Sequence, residues 1–187
     1  MWWREHRAAL NFTRLAVVLG AAGLVAGCFQ PLYSRNPSVG GDSVKDKLAE
    51  VQIGPIPTRQ GTPQARLAVG MHNALEFDLT GGSGTNAPTH RLDVTVVPKG
   101  FTAIVDPASG RPSAQVAGVA VNYQLVEIAT GKVVLKDRAY ANVDYDSPGP
   151  EQRFATQRAQ RDAEDRAVQT AAEAIRNRLA SYFVAGT

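Results

Sequence analysis

The sequence predicts an α+β fold: a two-layer sandwich with two helices packed on one face of a four-stranded, mostly antiparallel sheet, in the order β-α-β-β-β-α. Three observations predict it. Two segments repeat apolar residues every four positions, the spacing of one helix face. Several others alternate apolar with polar residues, the spacing of a half-buried strand. Clusters of Gly, Pro and Asp punctuate the boundaries between them. Two amphipathic helices are enough to cover one sheet face. The opposite face is left to meet water or a partner.

The elements follow in order after a leader. Met1 to Arg14 carries Arg4, Arg7 and Arg14 against the single acid Glu5. Leu15 to Val25 is uncharged, and the small residues Ala26 and Gly27 precede Cys28, the only cysteine of the chain. A basic start, a short apolar run and small residues at the cut describe a secretory signal. Eleven apolar residues are too few for a hydrocarbon core that takes about 20 residues of helix. Val25-Ala26-Gly27-Cys28 resembles the bacterial lipobox. That resemblance implies cleavage before Cys28 and attachment of fatty acyl groups to it. Several chains on one residue give stable membrane anchoring. Phe29 stands where lipoproteins kept at the inner membrane often carry Asp, which favours the outer membrane.

The expected organisation is therefore a signal peptide at 1–27, a flexible tether at 28–47 rich in Pro and Gly, and one domain at 48–187. No internal disulfide is possible in a chain with one thiol. The whole chain has 20 Lys and Arg against 17 Asp and Glu. The leader removes three Arg and one Glu, so the mature chain keeps 17 and 16 and is nearly neutral. Blanket attraction to nucleic acid or anionic lipid is excluded, and anion binding would have to come from a local patch.

Leu48–Ile53 reads as the first strand, stopped by Gly54-Pro55-Ile56-Pro57. Gln64–Leu79 reads as the first helix, with Leu67, Met71, Leu75 and Leu79 on one face. Thr62 is placed to cap it, Pro63 suits its first position, and Gly81-Gly82-Ser83-Gly84 ends it. Leu92, Val94 and Val96 mark a strand that Pro98 and Gly100 break or bulge, resuming over Phe101–Val105. Asp106–Pro112 is a turn cluster. Val116–Ile128 and Val133–Val143 form a hairpin about Thr130-Gly131. The last helix, about Glu151–Phe183, carries Ala155, Ala159, Ala163, Ala167 and Ala171 at four-residue spacing. Alanine keeps this face thin, and the opposite face is densely charged.

Catalytic and metal motifs are missing. His6 leaves with the leader, and His72 and His90 sit in no metal-ligand spacing. Gly81–Gly84 lacks the fifth-position Gly of a nucleophile elbow, and residue 85 is Thr. Asp144 and Asp146 are followed by Ser147-Pro148-Gly149-Pro150, which breaks calcium-loop spacing. No enzyme activity, metal or cofactor is expected. Arg91, Lys99, Arg111, Lys132, Lys136 and Arg138 lie on or beside the strands, where they would suit phosphate or carboxylate groups. Charges in such places also protect sheet edges from aggregation.

Gly27-Cys28-Phe29-Gln30-Pro31-Leu32-Tyr33, the hairpin Val121–Lys136 and the long last helix together resemble the lipopolysaccharide-assembly lipoprotein family LptE, in its alphaproteobacterial form. The resemblance spans nearly the whole chain. It implies a protein that plugs the lumen of the outer-membrane β-barrel LptD, helps that barrel assemble, and binds lipopolysaccharide on its way to the cell surface. The six basic residues are then candidates for lipopolysaccharide contact. The alternative is a periplasm-facing accessory lipoprotein of another envelope lipid transport system.

Overall fold

The chain enters through a helix that the alternation in Leu48–Ile53 conceals. The computed structural model describes residues 43–84, 87–108, 110, 112–146 and 152–185. The leader, Cys28 and most of the expected tether lie outside them. Ser43 caps α1 (Val44–Ala49). Its hydroxyl accepts from the Asp46 N–H at 3.2 Å, and the Asp46 carboxylate accepts from the Ser43 N–H at 3.3 Å. This reciprocal box satisfies two amide donors that a helix start leaves without partners. The strand expected from residue 48 is thus shortened to β1 (Val51–Ile53), and residues 44–47 of the expected tether are helical. Leu48 is buried, facing the core from the helix.

α2 (Pro63–Thr80) begins as the sequence indicated. The Thr62 hydroxyl accepts from the Ala65 N–H at 3.3 Å, and Pro63 occupies the first turn. Gly81 closes it with φ 69°, a left-handed cap that a side chain would strain. Ser83 donates to the Thr80 carbonyl at 2.7 Å. Leu67, Met71, Leu75 and Leu79 are all buried. Each contributes about 1.5–3 kcal/mol by leaving water.

Three long strands follow: β2 (His90–Val105), β3 (Pro112–Glu127) and β4 (Val133–Asp146). The sheet order is β1-β2-β3-β4, with β1 parallel to β2 and the remaining pairs antiparallel. Pro98 does not break β2. The Gly54 N–H donates outward to the Leu92 carbonyl at 2.9 Å, so even-numbered residues of β2 turn their backbone groups toward the β1 side. Beyond Leu92 no described strand neighbours that edge, so Pro98 costs no ladder bond. The bulges come later, around Thr102, Ile104 and Val105. β3 starts earlier and β4 ends later than alternation predicted. Their ends pair with each other, Ala114 opposite Asp146, and those polar positions leave no apolar period to read. Gly131, φ 68°, makes the hairpin turn, and its N–H donates to the Glu127 carbonyl at 2.8 Å.

α3 (Arg153–Ala185) lies against β3, β4 and α2. Ala163, Ala167, Ala171, Ala172, Ile175, Leu179 and Ala180 are wholly buried. Arg66 of α2 pairs with Glu164 and Asp165 of α3. Arg178 pairs with Asp137 of β4 at 3.1 Å. The core joins one stripe from each long helix to Leu92, Val94 and Val96 of β2, Val119, Val121, Tyr123 and Leu125 of β3, and Leu135, Ala139 and Ala141 of β4. Burial pushes the Tyr123 phenol up to about 12. The result is the two-layer α+β sandwich, with α1 as an added turn. No helix among the described residues is long and apolar enough to cross a membrane.

Candidate functional site

Side chains alternate between sheet faces, so the residues between the core positions share the face that no described helix covers. The pairing sets them in rows. Asp93 lies across Gln124 from Lys136, and Thr95 lies across Asn122 from Arg138. The next rows are Val97–Ala120–Tyr140, then Lys99–Gly118–Asn142, then Phe101–Val116–Asp144. Arg91 stands one row before Asp93 on the same side of β2.

At the Arg91 end the face holds a groove of about 570 Å³, lined by Pro55, Pro57, Arg91, Asp93, Thr95, Asn122, Gln124 and Lys136. Arg91 Nε donates to Asp93 Oδ1 at 2.8 Å, and Gln124 Nε2 donates to Asp93 Oδ2 at 3.2 Å. The Arg91 bond holds the Asp93 carboxyl below its ordinary range. Asp93 therefore offsets much of the Arg91 charge. Lys136, Arg138 and Lys99 are exposed and make no ion pair among the described residues. Among the described residues, the unpaired positive charge of the face rests on those three.

The six basic candidates separate accordingly. Arg91, Lys136 and Arg138 gather at one end of the open face, and Lys99 stands further along it. Lys132 sits in the β3–β4 turn beyond the ladder, its carbonyl accepting from the Glu127 N–H at 2.9 Å. Arg111 lies outside the described residues. Sequence reading missed Asp93, Gln124 and the two prolines at the groove. It also missed the exposed apolar side chains Val97, Phe101 and Tyr140. Their signal was parity, since Tyr140 shares that of Lys136 and Arg138.

The other polar features are structural. His72 lies 3.5 Å from Glu76 one turn along α2. His90 packs edge-on against Phe183 at 5.4 Å, and burial lowers its pKa. Asp144 and Asp146 are exposed on β4. No group of three His, Cys, Asp or Glu among the described residues is arranged to hold a metal. A second groove of about 540 Å³ runs between α2 and α3, bordered by Phe77, Asp78, Asp165 and Glu173. No basic residue lines it, so it does not suit an anion.

A lipopolysaccharide-assembly family model matches residues 48–179, well over half of the chain and nearly all of the sandwich. The chain belongs to the LptE family. LptE membership places it in lipopolysaccharide assembly. Solved structures share the LptE-type fold. A Caulobacter crescentus protein described as a lipoprotein is 21% identical, with TM-score 0.58, over 76% of this chain and 96% of its own. Rare lipoprotein B of Shewanella oneidensis is 15% identical, with TM-score 0.50, over 72% and 96%. A minor lipoprotein of Acinetobacter baumannii is 11% identical, also at 0.50, over 72% and 93%. At these identities the structures speak for the fold alone. No curated protein matches the sequence.

Proposed function

We propose that this chain is an outer-membrane lipoprotein, acylated at Cys28, that plugs and helps assemble the LptD barrel and binds lipopolysaccharide during its delivery to the cell surface. The observation that carries the binding role is the sheet face that no described helix covers, with Lys136 and Arg138 exposed on β4 and Arg91 at the same end of the face on β2. Phosphate groups accept charge-assisted hydrogen bonds from such side chains. Lys99 is a further contact on the same face, and Lys132 and Arg111 flank it in the chain as candidates. The near-neutral mature chain suits the polar lumen of an outer-membrane barrel. The lipobox-like Val25–Cys28 and Phe29 support anchoring at the outer membrane. The chain acts by binding, with no catalytic step and no cofactor.

The test is affinity capture of the mature protein from gently solubilised outer membranes. A stoichiometric barrel, with lipopolysaccharide retained, is the expected result. Reversing Lys136 and Arg138 to Glu should deplete the lipopolysaccharide severalfold and leave the barrel bound. A protein that comes away alone, or resides in the inner membrane, would defeat the proposal.

A further inference from the structure

Resting on the lipopolysaccharide reading above, the open face carries a second kind of recognition. Along β4 its outward residues run Lys136, Arg138, Tyr140, so cations give way to an aromatic. Tyr140 is 60% exposed, Val97 39% and Phe101 58%. Ala120 lies between Val97 and Tyr140 in one row, buried to 8% by its neighbours. The row is a shallow apolar floor with an aromatic wall. Lys99, Gly118 and Asn142 form the next row, and Phe101, Val116 and the exposed Asp144 follow, so the apolar patch is bounded there by charge.

A strand rises about 3.3 Å per residue, which puts Tyr140 about 13 Å from Lys136 and the Phe101 row about 26 Å away. Exposed apolar side chains beside uncompensated cations complement a molecule with an anionic head and a hydrocarbon tail. A soluble phosphate would use only the cations, and an apolar protein surface would leave Lys136 and Arg138 facing hydrocarbon without partners, a costly arrangement. We propose that Val97, Ala120 and Tyr140 form a subsite for an acyl chain of a phosphorylated lipid whose phosphate lies at Lys136 and Arg138. The lipid then lies along the strands, its chain ending on the Val97–Ala120–Tyr140 row and leaving Lys99 in the next row to water.

Two probes with the same headgroup separate the parts: ethyl phosphate, and decyl phosphate below its micelle concentration. Each is titrated into the mature chain while backbone amide resonances are followed. Both should shift Lys136 and Arg138, whereas only decyl phosphate should shift Val97, Ala120 and Tyr140 and bind at least tenfold more tightly. The double variant V97T/Y140T should lose at least fivefold in decyl phosphate affinity and keep its ethyl phosphate affinity. Both positions are exposed, so unchanged resonances elsewhere will show that the variant is folded. Equal affinities for the two probes, or an unaffected double variant, would overturn the acyl subsite while leaving the phosphate reading intact. Neither probe shifting Lys136 or Arg138 would overturn both. Concentration-dependent broadening at Tyr140 without probe would mean that a second copy covers the row, and would overturn it too.

Discussion

Replacing Ala171 with Leu should destabilise the protein by about 1–3 kcal/mol, the usual cost of adding methylenes to a filled core. The structure places the value in the upper half of that range. Ala171 is 0% exposed, and so are Ala167, Ala172 and Ile175 around it. α3 lies close to the sheet because its inner face is mostly methyl groups. A leucine would lift the helix and weaken the contacts of Ile175 and Leu179 as well. With a urea dependence of about 1–3 kcal/mol per molar, a loss of about 2 kcal/mol lowers the midpoint by roughly 1 M. Urea titration followed by circular dichroism measures it. Ala155 supplies the control: it belongs to the same four-residue series but is exposed. Leucine is nearly as good a helix former as alanine, so A155L should stay within about 0.5 kcal/mol of the parent. An A171L protein as stable as the parent, or an A155L protein equally weakened, would refute the close helix–sheet packing.

Leu75→Ala empties a fully buried position on α2 and should cost about 2–5 kcal/mol, read in the same titration. Thr62→Ala removes the side-chain cap of α2 and should cost about 1 kcal/mol, while Thr62→Ser should restore most of it. His90 gives a pH dependence. Burial against Phe183 lowers its pKa from the ordinary 6.5, so the fold favours the neutral ring. Its contribution is present above pH 6.5 and is lost as pH falls through the lower folded value. His90→Gln should therefore flatten the fall in urea midpoint between pH 7.5 and 5; an unchanged slope would show that other groups set it.

Where burial was one-sided, the sequence was legible. The four-residue stripe of α2, its Thr62 cap and the Gly131 turn stand where periodicity and turn chemistry placed them. Alternation failed at α1 because Leu48 and Val51 are both buried, whereas the Ser43–Asp46 box that decides the helix involves polar residues. Pro98 misled for a different reason. Its meaning depends on which backbone edge faces a neighbour, and that is set by a strand some forty residues earlier. The alanine series of α3 continued past the core: Ala163 is buried, but the turns from Arg153 onward are largely exposed, Phe154 to 85%. Repetition in sequence does not say where the partner sheet ends. Basic residues on the strands were identifiable singly. Only register showed that Arg91, Lys136 and Arg138 share one end of the same face and that Asp93 claims one of them.

The placement of Pro98 also limits how these molecules can join one another. Stacking sheet on sheet without end requires two usable margins per copy. β4 offers an unbroken one, since no described strand lies beyond it. The β2 margin is different: its first residues are occupied by β1, and further along a ring stands where an amide would have to donate. With one usable margin, two copies could meet through β4, but their remaining sides could not seed a third. Self-association through backbone pairing therefore ends at the pair, and growth into fibres by that route is disfavoured.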